Sequence, residues 1–349
     1  ATVDAIPASY SIAVEVLDRL GGEPALDYLI RAGEPLPKKG KKIFKAAQTL
    51  KAGSDETLNI KLWEGEIENP ITDNRPIGVL KISGTDFSSG VIPAGADLEC
   101  AYEDSGNINL EVSVPSIGGV FNSGRNFYSR QEGAINYTDA AELVSSKADD
   151  TIARVHKIRE VVNDPELDEI ASKLSSASKL NPATAQAEET QEAMENVLEA
   201  RKRLAAIRKA HERDIRQSEL DEAVKSFRDY PLKYATPDER QAFEYQRQAA
   251  QRAIDRNEPG FKANLARIHQ SAFAILWRSD PDFVVNMFKN FASEPYRYAD
   301  KVTYHRLVSQ GMTCISQNDI DGLRQVVGQL FRIYAWDDGG EENIASMAN

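Results

Sequence analysis

Leu98-Glu99-Cys100-Ala101-Tyr102-Glu103-Asp104-Ser105-Gly106-Asn107-Ile108-Asn109-Leu110-Glu111-Val112-Ser113-Val114 is the stretch that decides the fold. Leu98, Cys100 and Tyr102 alternate with other residues before the Asp104–Asn107 turn, and Ile108, Leu110, Val112 and Val114 alternate after it. A period of two on both sides of a Ser-Gly turn predicts a β-hairpin with one apolar face. The same grammar recurs toward the N-terminus. Ile12, Val14 and Val16 alternate with Ala13 and Glu15; Leu58, Ile60 and Leu62 alternate with Asn59 and Lys61. Fifteen of the 21 glycines precede Asp139, so turns concentrate there. Serial short strands of this kind predict an antiparallel β-sandwich over residues 1–138, not a βαβ sheet.

Beyond Asp139 the period lengthens. Leu143, Val144, Ala148, Ile152, Val155, Ile158 and Val162 form a helical stripe, and Asp164-Pro165 and Asn181-Pro182 interrupt it. Between Ala183 and Tyr230 there is neither Pro nor Gly. That run predicts one long helix or two nearly continuous ones, about 45 residues and about 68 Å long, needing a partner helix along part of its length. Residues 139–235 therefore read as a long helical lid or hairpin. From 236 onward Thr236-Pro237 reads as an N-cap followed by a first-turn proline. Phe261, Phe273, Ile275, Leu276, Trp277, Phe283, Val284, Met287, Phe288 and Phe291 supply core for four or five short helices. Residues 236–349 read as a helical bundle whose tail, around Asp337-Asp338-Gly339-Gly340, is expected to be disordered. The fold class expected is α+β by segregation: an N-terminal antiparallel β-sandwich, then long helices, then a C-terminal helical bundle.

The charge balance narrows the function. Forty-two basic residues against 54 acidic ones give a net charge of −12, which argues against nucleic acid or an anionic membrane as partner. No apolar run of about 18 residues occurs, so no membrane span is expected, and the Ala1-Thr2-Val3-Asp4 start carries no signal-peptide pattern; a cytoplasmic location is expected. His156, His211, His269 and His305 lack metal-ligand spacing. Cys100 and Cys314 sit in apolar runs as structural thiols. Lys38, Lys39, Lys41, Lys42 and Lys45 read as strand-edge lysines that discourage edge pairing. Arg201, Lys202, Arg203, Arg208 and Lys209 read as a solvated helix face, with Glu199 and Arg203 as an i,i+4 pair. No Gly-rich phosphate loop followed by Lys-Ser/Thr is present, so no cofactor, metal or catalytic centre is expected in this chain.

An ordered set of motifs runs through residues 4 to about 115: Asp4-Ala5-Ile6-Pro7, Ser9-Tyr10-Ser11-Ile12-Ala13-Val14-Glu15, Leu29–Lys39 with Pro35 and Pro37, Phe44, Leu58–Glu66 ending in Gly65-Glu66, Asn74, Ile77-Gly78, Ile92-Pro93-Ala94-Gly95, and Ser105-Gly106-Asn107-Ile108. In order and spacing it resembles the substrate-binding β-domain of the DnaK-type (70-kDa heat-shock) chaperones. The resemblance implies a cleft at one end of the sandwich that holds extended apolar segments of unfolded proteins, a helical lid, co-chaperones as further partners, and ATP bound by an upstream ATPase domain. It places Ile12 and Val14 on one wall, Phe44 and Ala47 on the next strand and arch, Leu58 and Ile60 on the pocket floor, and Leu98 on the opposing lip. Glu15 departs from the family's apolar arch residue, the Gln48–Thr57 loop is long, and Ile117–Ile135 matches poorly. The rival reading is a protein–protein scaffold whose C-terminal bundle docks a dedicated partner.

Overall fold

The computed structural model describes residues 5–18, 23–122, 127–128, 137–334 and 347–348. The deciding hairpin forms from β10 (Asp97–Asp104) and β11 (Ile108–Val114), with Tyr102 opposite Leu110 and Cys100 opposite Val112. Its turn needs Gly106, which has φ 119°, and the Gly106 N–H donates to the Asp104 carboxylate at 2.8 Å. Around this pair lie β1 (Ile6–Pro7), β2 (Ile12–Leu17), β3 (Pro24–Ile30), β4 (Pro35–Leu36), β5 (Lys38–Ala46), β6 (Leu50–Lys51), β7 (Thr57–Glu64), β8 (Arg75–Ser83), β9 (Val91–Ile92), β12 (Gly119–Asn122), β13 (Phe127–Tyr128) and β14 (Met347–Ala348). One layer runs β12-β11-β10-β5. The other runs β2-β7-β8-β13, with β3 on β2.

The period of two does the packing. Val14 and Val16, Leu58, Ile60 and Leu62, Phe44, Leu98 and Cys100, and Leu110, Val112 and Val114 all point into a single apolar core. At about 1.5–3 kcal/mol for each fully buried aliphatic side chain, this core is the main stabilising term of the sandwich.

The chain divides into two units, residues 1–134 with 336–349, and residues 135–335. The helical residues on either side of 235 thus share one unit. Asp337–Gly340, where disorder is expected, lie outside the described residues, and Met347–Ala348 form a paired strand.

Among the described residues the second unit holds α1 (Tyr137–Arg159), α2 (Glu166–Ser178), α3 (Ala187–Ala210), α4 (Glu212–Asp229), α5 (Pro237–Arg256), α6 (Phe261–Ser279), α7 (Pro281–Ala292), α8 (Lys301–Ser316) and α9 (Ile320–Ile333). The Pro- and Gly-free run is two helices: His211 alone leaves helical geometry, at φ −120°, ψ 34°. The change of partners follows from the apolar stripe. Val197, Leu204, Ile207 and Ile215 pack with α1 and α2, whereas Leu220, Ala223 and Phe227 pack with Phe243, Ile254, Phe261 and Ile268 of α5 and α6. Thr236 caps α5 as expected, accepting from the Glu239 N–H at 3.2 Å while Glu239 accepts from the Thr236 N–H at 3.0 Å. Phe273, expected in the core, is 43% exposed and stacks on Trp277 at 5.9 Å.

Helices α7, α8 and α9 share a third core around Phe288. Gly311 of α8 lies so close that a Cβ there would meet the Phe288 ring at 2.1 Å. Gly311→Ala is therefore expected to destabilise the helical unit by about 2 kcal/mol, despite the ~1 kcal/mol that alanine gains over glycine in a helix. Urea unfolding followed by circular dichroism checks this, and adding Phe288→Leu should recover most of the loss.

Candidate peptide-binding site

Among the described residues, β2 and β5 of the two layers are joined through one intervening strand. Strand β7 pairs with β2 only through Ile12, Ala13 and Val14 and then diverges. At the far end of β2, Leu17 pairs with Ala348. Strand β5 pairs with β10 along its length, so its other side is an edge. Ala46 spends its N–H on the Ala96 carbonyl at 2.9 Å and its carbonyl on the Gly95 N–H at 2.7 Å. By the alternation of an antiparallel ladder, the N–H and C=O of Lys45 then point the opposite way.

Strand β14 occupies this slot. Met347 pairs with Ala46 and Ala348 with Lys45, antiparallel, while Ala348 pairs with Leu17, parallel. It bridges the two layers into one hydrogen-bonded path. Leu17 and Ala47 pack together beside it, apart from the main core.

The residues expected to line a cleft lie around this slot in different roles. Val14, Phe44, Leu58, Ile60 and Leu98 are all 0–1% exposed and belong to the common core, with Ile12 packed against it half-buried. Ala47 is half-buried against Leu17. The structure thus brings six of the seven into one cluster and sets Ala47 at the slot itself. The backbone groups of Leu17 and Lys45, which make the slot, are not distinguished by side-chain pattern. The only sequence signal for them is the end of the alternating run at Leu17 and the end of the lysine-rich run at Lys45.

Glu15 points to the outer face of its layer. It is buried there, 4.0 Å from Lys61 and close to the cluster of Ala13, Leu26, Trp63 and Ile71. Its charge is met by an adjacent strand, away from the core side of β2. Four of the five lysines of β5 sit in ion pairs: Lys38 with Glu34, Lys39 with Glu103 at 3.2 Å, Lys42 with Asp27, and Lys45 with Asp97.

The Gly65-Glu66 motif is structural. Gly65 adopts φ 133°, and a Cβ there would meet the Asn74 side-chain oxygen at 2.3 Å. Asn74 Oδ1 accepts from the Ile67 N–H at 2.9 Å, and its Nδ2 donates to the Ile67 and Ile71 carbonyls at 2.6 and 2.9 Å. Ser11 Oγ donates to Glu66 at 2.5 Å and accepts from the Ala32 N–H at 2.9 Å. Together these tie the 65–74 loop to the start of β2.

Other constellations offer less. Among the described residues no group of three or more His, Cys, Asp and Glu is placed to hold a metal, and no helix is long and apolar enough to cross a membrane. Burial pushes the Cys100 thiol up to about 12, which keeps it protonated and unreactive. The basic run on α3 is dispersed: Arg201 is buried and donates to Thr151 Oγ1 at 3.2 Å, and Arg203 pairs with Glu166 and Glu169 of α2, not Glu199. The Tyr304 hydroxyl donates to the Phe291 and Ala292 carbonyls, both at 2.9 Å. A cavity of about 400 Å³ among α1, α3, α4 and α6 is rimmed by Lys157, Arg208, Glu219 and Glu222, of which Lys157 pairs with Glu222 and Arg208 with Glu219. No protein-family model matches this chain, and no curated protein matches it.

Proposed function

We propose that the sandwich binds short extended segments of other polypeptides by adding them as a strand between β2 and β5, acting as the client-holding module of a chaperone. The observation that carries this reading is the seat of β14: an extended chain is paired there on both sides through backbone groups. Recognition by main-chain hydrogen bonds is indifferent to sequence, as strand addition requires, and the Leu17–Ala47 contact gives a small apolar preference beside it. With one Leu-sized contact worth about 1.5–3 kcal/mol, affinity stays weak and clients stay exchangeable. The order of motifs shared with the DnaK-type chaperones supports the same reading, and with it ATP control by an upstream domain and co-chaperones as further partners. The test is a fluorescence-anisotropy titration of a fluorescein-labelled Leu-rich heptapeptide. Saturable binding that is lost when the leucines become aspartates is expected. No saturable binding, either by the 349-residue chain or by a form lacking residues 336–349, overturns the reading.

A further inference from the structure

We propose that the segment around Met347–Ala348 is an internal ligand of the slot, which incoming peptides must displace. This rests on the peptide-binding reading above and assigns it a built-in competitor. Three observations carry it. Strand β14 is paired on both faces, to β5 on one side and β2 on the other, so it fills the backbone positions a client would use. Residues 336–349 group with the sandwich, whereas the helix they follow in sequence, α9, belongs to the other unit. The composition suits the role: Asn343-Ile344-Ala345-Ser346-Met347-Ala348 is an uncharged, partly apolar stretch, preceded by Asp337, Asp338, Glu341 and Glu342 around Gly339-Gly340.

The contact is short, two residues in one ladder and one in the other, and so can be displaced. A ligand tethered within the same chain acts at an effective concentration of about 1 mM. For a segment whose own dissociation constant is a tenth of that concentration, the slot is occupied roughly ten times out of eleven and the apparent affinity for a client falls about tenfold.

The test compares the 349-residue chain with its Met347→Pro/Ala348→Pro variant. A strand paired on both sides uses every N–H, and proline supplies none. The labelled Leu-rich heptapeptide is expected to bind the variant about tenfold more tightly, and an unlabelled peptide of residues 341–349 should compete it off. A second variant, Lys45→Cys/Ala348→Cys with Cys314→Ser, joins two register partners. Oxidised, it should bind no heptapeptide, and dithiothreitol should restore binding. Equal affinity of the parent chain and the proline variant overturns the internal-ligand proposal while leaving peptide binding standing, as does undiminished binding by the oxidised form. Absence of binding in every form overturns both.

Discussion

In the Met347→Pro/Ala348→Pro background, where β14 no longer competes, Lys45→Pro is expected to weaken peptide binding about thirtyfold while leaving the sandwich folded. On its β10 side, strand β5 is held by the backbone groups of Ala46 and the residues in phase with it. The Lys45 N–H faces the slot, where Ala348 is its partner. Proline deletes that one donor and sets its ring where the incoming strand would lie, while the β10 ladder keeps its bonds. The lost hydrogen bond and the steric conflict together are worth about 2 kcal/mol, or roughly thirtyfold in affinity. The Lys45–Asp97 ion pair is solvent-exposed on both sides and contributes little. Lys41→Pro is the control: it lies on the same edge of β5, four residues from the paired positions, and should leave binding intact. Anisotropy titration with the Leu-rich heptapeptide, alongside thermal melts of both variants, decides the matter. Unchanged affinity in Lys45→Pro would remove β5 from the binding site.

Asn74→Ala is expected to destabilise the sandwich by about 3 kcal/mol. Asn74 is 3% exposed and satisfies three backbone groups in a loop that no regular ladder holds. Truncation strands the Ile67 N–H and the Ile67 carbonyl, while the Ile71 carbonyl keeps the Asn74 backbone N–H at 3.0 Å; a buried polar group left unmet costs about 1–3 kcal/mol. It also opens space beside Gly65, whose positive φ was fitted to that side chain. For a unit of about 140 residues, 3 kcal/mol corresponds to a fall of roughly 10 °C in melting temperature. Differential scanning calorimetry should show this in the transition of the sandwich, and a fall of less than about 2 °C would mean the loop is held elsewhere. Asn74→Asp should lie between the two, keeping the acceptor for Ile67 and losing the donor.

Much of the fold was legible in the residues because local periodicity and core direction agree. Leu58, Ile60 and Leu62 point inward as their alternation requires, and the Thr236 cap follows from its own side-chain chemistry. Phe273 shows the limit: aromatic character marks a residue as apolar but does not say which face of α6 is covered. Val14, Phe44 and Leu98 likewise carry an apolar signal that serves core and cleft equally, and in the fold it serves the core. The slot was hidden for a different reason. It is made of backbone groups at Leu17 and Lys45, which every residue possesses, and is completed by a segment some three hundred residues away from Lys45. Pairing at that separation leaves no periodic trace, and a two-residue strand is too short to announce itself. Glu15 was legible as an anomaly but not as an explanation, because its answer, Lys61, sits on a neighbouring strand.

A strand that a chain lends to itself can also be lent to a neighbour. Because donor segment and acceptor gap are different surfaces, reciprocal exchange gives a closed pair, whereas one-way donation gives a head-to-tail file with a vacant gap at one end and a loose segment at the other. The balance is set by crowding: near millimolar protein, intermolecular donors become as numerous around each gap as the molecule's own. Dilution therefore favours self-capped monomers, and concentration favours strand-swapped oligomers whose growth a short peptide would arrest.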